Sequence, residues 1–99
     1  MNIIKTQNEG KTVLAISGRL DTVTAPQLQG ALLPEFDSVK EIELDFTELA
    51  YVSSAGLRVL LTAEKTAKAK GSSMTLTHVS TDIAEIFKMT GFEDFLHIA

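Results

Sequence analysis

Glu41 to Leu61 reads EIELDFTELAYVSSAGLRVLL, and its hydrophobic period changes halfway along. Glu41 to Phe46 alternates, with Ile42, Leu44 and Phe46 on one side and Glu41, Glu43 and Asp45 on the other, which is the pattern of a strand with one wet face. From Gly56 to Lys70 the spacing is helical. Leu57, Leu60, Leu61, Ala63 and Ala67 fall near a 3.6-residue period, and Gly71 stands where a left-handed stop belongs. Met74 to His78 then alternates again, so residues 41 to 78 predict a strand, helix, strand unit with parallel strands.

Upstream, Ile3 to Gln7 and Lys11 to Ser17 flank Asn8-Glu9-Gly10, the signature of a β-hairpin. Thr24-Ala25-Pro26-Gln27 opens a first helix: Thr24 is placed to cap, Gln27 to close a capping box, and Val23 to staple onto Leu28. Pro34 marks where that helix breaks or bends. Downstream, a helix is expected from about Asp82 to Thr90, with Ile83, Ile86 and Phe87 inward and Phe92 packing back on Phe87 past Gly91. Phe95 to Ile98 reads as a last short strand.

The predicted order is β-β-α-β-α-β-α-β, an α/β fold whose mixed sheet carries its helices mainly on one face. Three loops, Gly18–Val23, Thr47–Ser54 and Val79–Thr81, follow the carboxyl ends of strands. They should gather at the edge where open α/β sheets place their sites.

Composition narrows the function. The 99 residues predict one domain over 1–99, 44% hydrophobic and 22% charged, without any apolar run near the ~20 residues that span a bilayer. The opening MNIIKTQNEG has no apolar core of a signal peptide, and the lack of cysteine fits a reducing cytoplasm. A formal net charge of −4 argues against a nucleic-acid surface, and Lys65, Lys68 and Lys70 cluster where they complement a helix C-terminus. Two distant histidines and no cysteine point away from zinc, and no glycine-rich loop is present to cradle a phosphate, so no cofactor and no metal are expected.

The chemistry concentrates at Ser53-Ser54. Either hydroxyl would serve as a helix cap, worth ~1 kcal/mol. A cap alone does not account for Arg58, a cation in the first turn, where the helix dipole disfavours it by about 0.3–1 kcal/mol. Arg58 follows Ser54 by four residues, within reach of a group carried on that serine. A phosphate there would add about −1.5 to −2 charges, facing both the helix N-terminus and Arg58. The same charge pressed into a partner's interface would cost several kcal/mol, so the serine would switch binding with little change of shape. A nucleophilic serine is disfavoured: Val-Ser-Ser-Ala-Gly lacks the glycine two residues before the hydroxyl that a nucleophile elbow needs. No base is evident either, since His78 reads as a partly buried strand residue and His97 has no reason to lie close. Asp21, at the end of Ser17-Gly18-Arg19-Leu20-Asp21, is either a turn residue or a carboxylate beside the phosphoacceptor. The carboxylates of Glu41, Glu43 and Asp45 read as a solvated sheet face.

Two segments, SGRLDTVTAPQL (17–28) and DFTELAYVSSAGLRVLL (45–61), together with the opening hairpin and the helix before Gly91-Phe92, resemble the anti-sigma factor antagonists, small bacterial proteins of one STAS domain. The resemblance covers nearly the whole chain and implies a non-enzymatic regulator that works by partner switching. The unmodified antagonist binds an anti-sigma factor that is also a serine kinase. Phosphorylation releases it, and a PP2C-type phosphatase resets it. Aligned on the glycine before Leu57, the family's Asp-Ser-Ser-Gly run falls on Ser53-Ser54-Ala55-Gly56, which makes Ser54 the acceptor and Ser53 the alternative. Ser53 replaces the family's aspartate and Ala55 its second serine. Asp21 matches the aspartate of the family's Ser-Gly-x-Leu-Asp segment, and Asp21, Ser53, Ser54, Gly56 and Arg58 are the expected partner-binding residues. The same resemblance leaves an alternative: a STAS scaffold or docking module of another bacterial assembly, in stressosome-like signalling, lipid transport or a two-component pathway.

Overall fold

The computed structural model describes residues Met1–Ala99. Strands β1 (Asn2–Asn8) and β2 (Lys11–Leu20) form the expected antiparallel hairpin. Its turn places Glu9 at φ 50° and Gly10 at φ 81°. Two consecutive left-handed residues give a two-residue turn whose twist matches that of the strands. Helix α1 (Ala25–Leu32) runs into a 3-10 turn at Leu33–Asp37, then come β3 (Glu41–Asp45), β4 (Leu49–Val52), α2 (Ser54–Lys70), β5 (Ser73–Thr77) and α3 (Thr81–Thr90).

The sheet runs β1-β2-β3-β5, with β3 parallel to both β2 and β5. Two strand expectations need correction. The Thr47–Ser54 segment is not all loop, because its middle is β4, parallel to Gly18–Leu20 at the far end of β2, beyond the Ala15 pairing with Asp45. The pairing shifts register between Gly18 and Arg19, so β4 is short and its burial does not alternate, which hid it from a period-two reading. Conversely, Phe95–Ile98 is not a strand. A 3-10 turn at Phe92–Asp94 leaves only an isolated parallel bridge between Leu76 and Ile98, and Phe95 is exposed.

Side-chain alternation sends Leu14 and Ile16 of β2, Ile42, Leu44 and Phe46 at β3, and Met74 and Leu76 of β5 into one core beneath the helices. The opposite face stays partly solvated and carries Lys11, Glu43, Asp45 and Thr77. One contact fixes α2 on this sheet. A Cβ on Gly56 would lie 2.6 Å from Leu20 Cγ and 3.0 Å from the Leu20 carbonyl oxygen. Only glycine lets the first turn of α2 come this near the end of β2. At the other end α2 stops as expected: Gly71, at φ 70°, donates to the Lys68 carbonyl and Ser72 to that of Ala67, the paired bonds of a Schellman closure.

The start of α1 differs from its expected capping box. The Thr24 side chain caps nothing in the helix; its hydroxyl donates to the Arg19 carbonyl (2.7 Å) and accepts from the Asp21 N–H (2.9 Å). Gln27 reaches the Met1 carbonyl instead of closing a box, and Val23 is 85% exposed, so no staple forms. Asp21 has taken over the turn.

On the solvated face, Lys11 Nζ sits 2.8 Å from Glu43 Oε1, and the Thr77 hydroxyl donates to Glu43 Oε2 at 2.8 Å. The hydrogen bond from Lys11, then that from Thr77, hold the Glu43 carboxyl below the usual carboxylate range. The Thr47 side chain and backbone N–H do the same for Asp45. Unfolded, both groups return to ordinary values and bind protons the native state does not. Their stabilisation is therefore present above the ordinary carboxylate range and lost as pH falls through the lowered native values.

Two predictions follow from these contacts. Gly56→Ala must displace Leu20 or its backbone, and should cost about 1–3 kcal/mol in a urea titration. Glu43→Gln should flatten the fall in unfolding midpoint as pH drops through the acid range, while leaving the neutral-pH fold unchanged by circular dichroism.

Candidate functional site

The site is assembled where β2 ends. Leu20 is fully buried, and its carbonyl accepts the Ser53 N–H at 2.8 Å. That bond joins the Asp21 turn to the start of α2. Asp21 Oδ1 accepts the N–H groups of Val23 (3.0 Å) and Thr24 (3.1 Å) and the Thr24 hydroxyl (3.2 Å), while its carbonyl accepts from Ala25 (2.8 Å). The Thr24 N–H bond first, with help from Val23, the Thr24 hydroxyl and Arg19, keeps the Asp21 carboxyl below its ordinary range against the opposing effect of desolvation. The turn reading of Asp21 holds: its carboxylate builds the turn.

The two serines divide the work. Ser53 is the N-cap, with extended backbone (φ −94°, ψ 175°) and a hydroxyl accepting the Gly56 N–H at 3.4 Å; Ser54, the first residue of α2, is exposed and its side chain makes no hydrogen bond within the chain. Arg58 is exposed one turn further on, and no carboxylate lies within 4.0 Å of it. No direct hydrogen bond joins Asp21, Ser54 and Arg58. Gly56 is buried against Leu20, so what it gives the site is the position of α2.

Sequence reasoning missed two neighbours. Arg19 and Tyr51 face each other across β2 and β4, with the guanidinium carbon 4.3 Å from the Tyr51 ring centre and Arg19 Nε 3.7 Å from Asp21 Oδ2. A cation over an aromatic face, braced by a carboxylate, is an ordered exposed surface. Its signal was the alignment of an Arg and a Tyr on paired strands, which required recognising β4 first. With Val23 this gives the edge an aromatic, an arginine and a bare aliphatic side chain.

Neither histidine hydrogen-bonds Ser54. His78 is not a partly buried strand residue; it is exposed just past β5 in the left-handed region, at φ 55°. His97 lies 3.4 Å from Glu64 Oε2. Glu64 is ten residues along α2 from Ser54, about 15 Å at the helical rise. The Val79–Thr81 turn caps α3 through the Ser80 hydroxyl and the Ile83 N–H (3.2 Å) and takes no part in the Asp21–Ser53 contacts. The Glu41, Glu43 and Asp45 face groups no three residues able to hold a metal ion, and no helix is long and apolar enough to cross a membrane.

A mixed sheet with this helical layer, and a serine pair at the α2 N-terminus beside a Ser-Gly-x-Leu-Asp turn, defines the class. The family model described as "Mlab, STAS domain" matches residues 4–97, and the chain belongs to the STAS-domain family. It is 33% identical to the anti-sigma-B factor antagonist of Listeria monocytogenes over 99% of this chain and 90% of that protein. It is 28% identical to the anti-sigma-B factor antagonist of Bacillus subtilis over all of this chain and 91% of that one. The fold is also that of the anti-sigma factor antagonist SpoIIAA in its unphosphorylated form (TM-score 0.83, 18% identity, 99% of this chain and 88% of that one). The phosphorylated form of SpoIIAA, the Bacillus cell fate determinant, matches with a TM-score of 0.76 at 18% identity, over 99% of this chain and 91% of that one.

The division between the serines is measurable. Ser53→Ala removes a cap and should lower stability by about 0.5–1 kcal/mol, the low end for caps given the long 3.4 Å bond. Ser54→Ala should stay within about 0.5 kcal/mol of wild type, as for other exposed positions, in paired urea titrations.

Proposed function

We propose that this chain is an anti-sigma factor antagonist acting by partner switching. Its docking edge comprises Asp21, Ser53, Ser54 and Arg58, held in place by Gly56 and joined by Arg19 and Tyr51. The partner is an anti-sigma factor with serine-kinase activity, Ser54 is the residue it phosphorylates, and a PP2C-type phosphatase removes the phosphate. The protein acts in the cytoplasm by being bound and modified, without turnover of its own.

The observation that carries this reading is the exposed, unbonded hydroxyl of Ser54 at the first position of α2, next to a serine that already supplies the cap. Ser54 has no evident structural work, and a phosphate at a helix N-terminus is favoured by the helix dipole. Arg58, four residues on, is without a carboxylate and is free to meet that charge. The fold therefore tolerates the dianion. A partner packed over the same edge must desolvate it or face it with like charge, and it is there that the free energy is lost. The relatives named anti-sigma-B factor antagonists, alignable over the whole chain, support the same reading.

The test is a titration with the cognate anti-sigma kinase. Ser54→Asp should weaken the complex at least tenfold with an unchanged melting temperature, and equal affinity for mutant and wild type would overturn the proposal. With kinase and ATP, intact mass and fragmentation should place one phosphate on Ser54 and none on Ser54→Ala. A phosphate on Ser53 would move the switch one residue.

A further inference from the structure

Beside the Ser54 edge, a groove of about 530 Å³ runs between α1 and α2, lined by Pro26, Gly30 and Leu33 on one side and by Ala55, Arg58 and Val59 on the other. Of its ten lining residues only Arg58 is charged. The groove is thus a mostly neutral trough with a single cation, and that cation has no carboxylate of its own within a chain of formal net charge −4.

Gly30 has no local explanation. It lies inside α1, where glycine costs roughly 0.5–1 kcal/mol relative to alanine. Its φ is not positive, and a Cβ there would meet nothing within 4 Å. Neither the backbone nor the packing of this chain asks for glycine. What its missing side chain does is keep the groove open, immediately beside the phosphoacceptor turn.

We propose that this groove seats a partner segment that presents an apolar side chain to the trough and a carboxylate to Arg58. The occupant is the anti-sigma factor kinase, so the inference rests on the function proposed above and deepens it. Ala55 and Arg58 border the groove and flank Ser54, which gives Arg58 two competing anions. In the unmodified protein it faces the partner's carboxylate, and after phosphorylation the phosphate four residues before it takes it away. The switch then acts twice, by placing a dianion in the interface and by removing the cation the partner reads.

The experiment combines Gly30→Leu, Gly30→Ala and Ser54→Asp in titrations with the recombinant cognate anti-sigma kinase, alongside thermal melts and sedimentation of the antagonist alone. Gly30→Leu should melt at or above the wild-type temperature yet bind at least tenfold more weakly, with Gly30→Ala between the two. If Gly30→Leu is folded and binds as wild type, the groove proposal is overturned, whatever Ser54→Asp does. If Ser54→Asp binds as wild type while Gly30→Leu does not, the phosphoswitch fails and the docking groove stands. Should Gly30→Leu melt lower, Gly30→Ala decides: normal melting with full affinity overturns the proposal, and normal melting with weakened binding supports it. A change in sedimentation of Gly30→Leu alone, with kinase affinity intact, would assign the groove to a second copy of this chain and overturn the proposal as well.

Discussion

Everything at the edge that carries Asp21 and Ser54 depends on the approach of Gly56 to Leu20. A methyl group at Gly56 would sit 2.6 Å from the Leu20 side chain, well inside van der Waals contact, so α2 enters over the end of β2 without one. The Ser53 N–H bond to the Leu20 carbonyl, at 2.8 Å, locks the same junction in the backbone. Because Asp21 follows Leu20 directly and Ser54 follows Ser53, one buried leucine sets the spacing between the turn and the exposed hydroxyl. A site spread over two loops gains the rigidity of an element junction, which matters where a partner must find several groups at once.

The charge distribution follows the same division. On the solvated sheet face Lys11 and Thr77 occupy Glu43, while Thr47 occupies Asp45; near the edge, Arg19 leans on Asp21 and Tyr51. These groups have partners inside the chain and hold its shape. Arg58 has none; with α2 starting at Ser54 it stands one turn into the helix, past the first turn in which the sequence reading puts it. On the proposed reading this unpaired cation meets an incoming anion, from the partner or from the phosphate.

Much of this was legible in the sequence, for identifiable reasons. Strong periodicity gave β2, β3, α2 and β5, because one face of each packs on a common core and burial enforces the period. Gly71 ended α2 as expected, since left-handed stops are a local backbone matter. The failures lie where a tertiary partner overrode a local rule. Thr24 looked like a cap, but its hydroxyl turns back to the Arg19 carbonyl while Asp21 accepts the Val23 and Thr24 N–H groups, and Gln27 donates its N–H to the Thr24 carbonyl instead. Leu49–Val52 did not read as a strand because its register shift against β2 breaks alternation. The Arg19–Tyr51 stack was invisible for the same cause. In the tail, Phe95–Ile98 alternates weakly, and a single bridge to Leu76 does not make it a strand.

On the proposed reading, adjacent serines with separate tasks give a way to regulate binding without destabilising the regulator. If the cap and the acceptor were the same hydroxyl, esterifying it would rearrange the hydrogen bond that starts α2, and stability and modification would be coupled. Here Ser53 holds the cap, so the Ser54 hydroxyl is available without disturbing the helix start. A negative group on Ser54 then interacts favourably with the helix dipole and with Arg58 inside the molecule, and unfavourably with whatever is packed over it. The sign of the effect is opposite in the two environments, and the perturbation falls on the complex. Partner switching needs that asymmetry: the released antagonist must remain folded, ready for the phosphate to be removed and the edge to be used again.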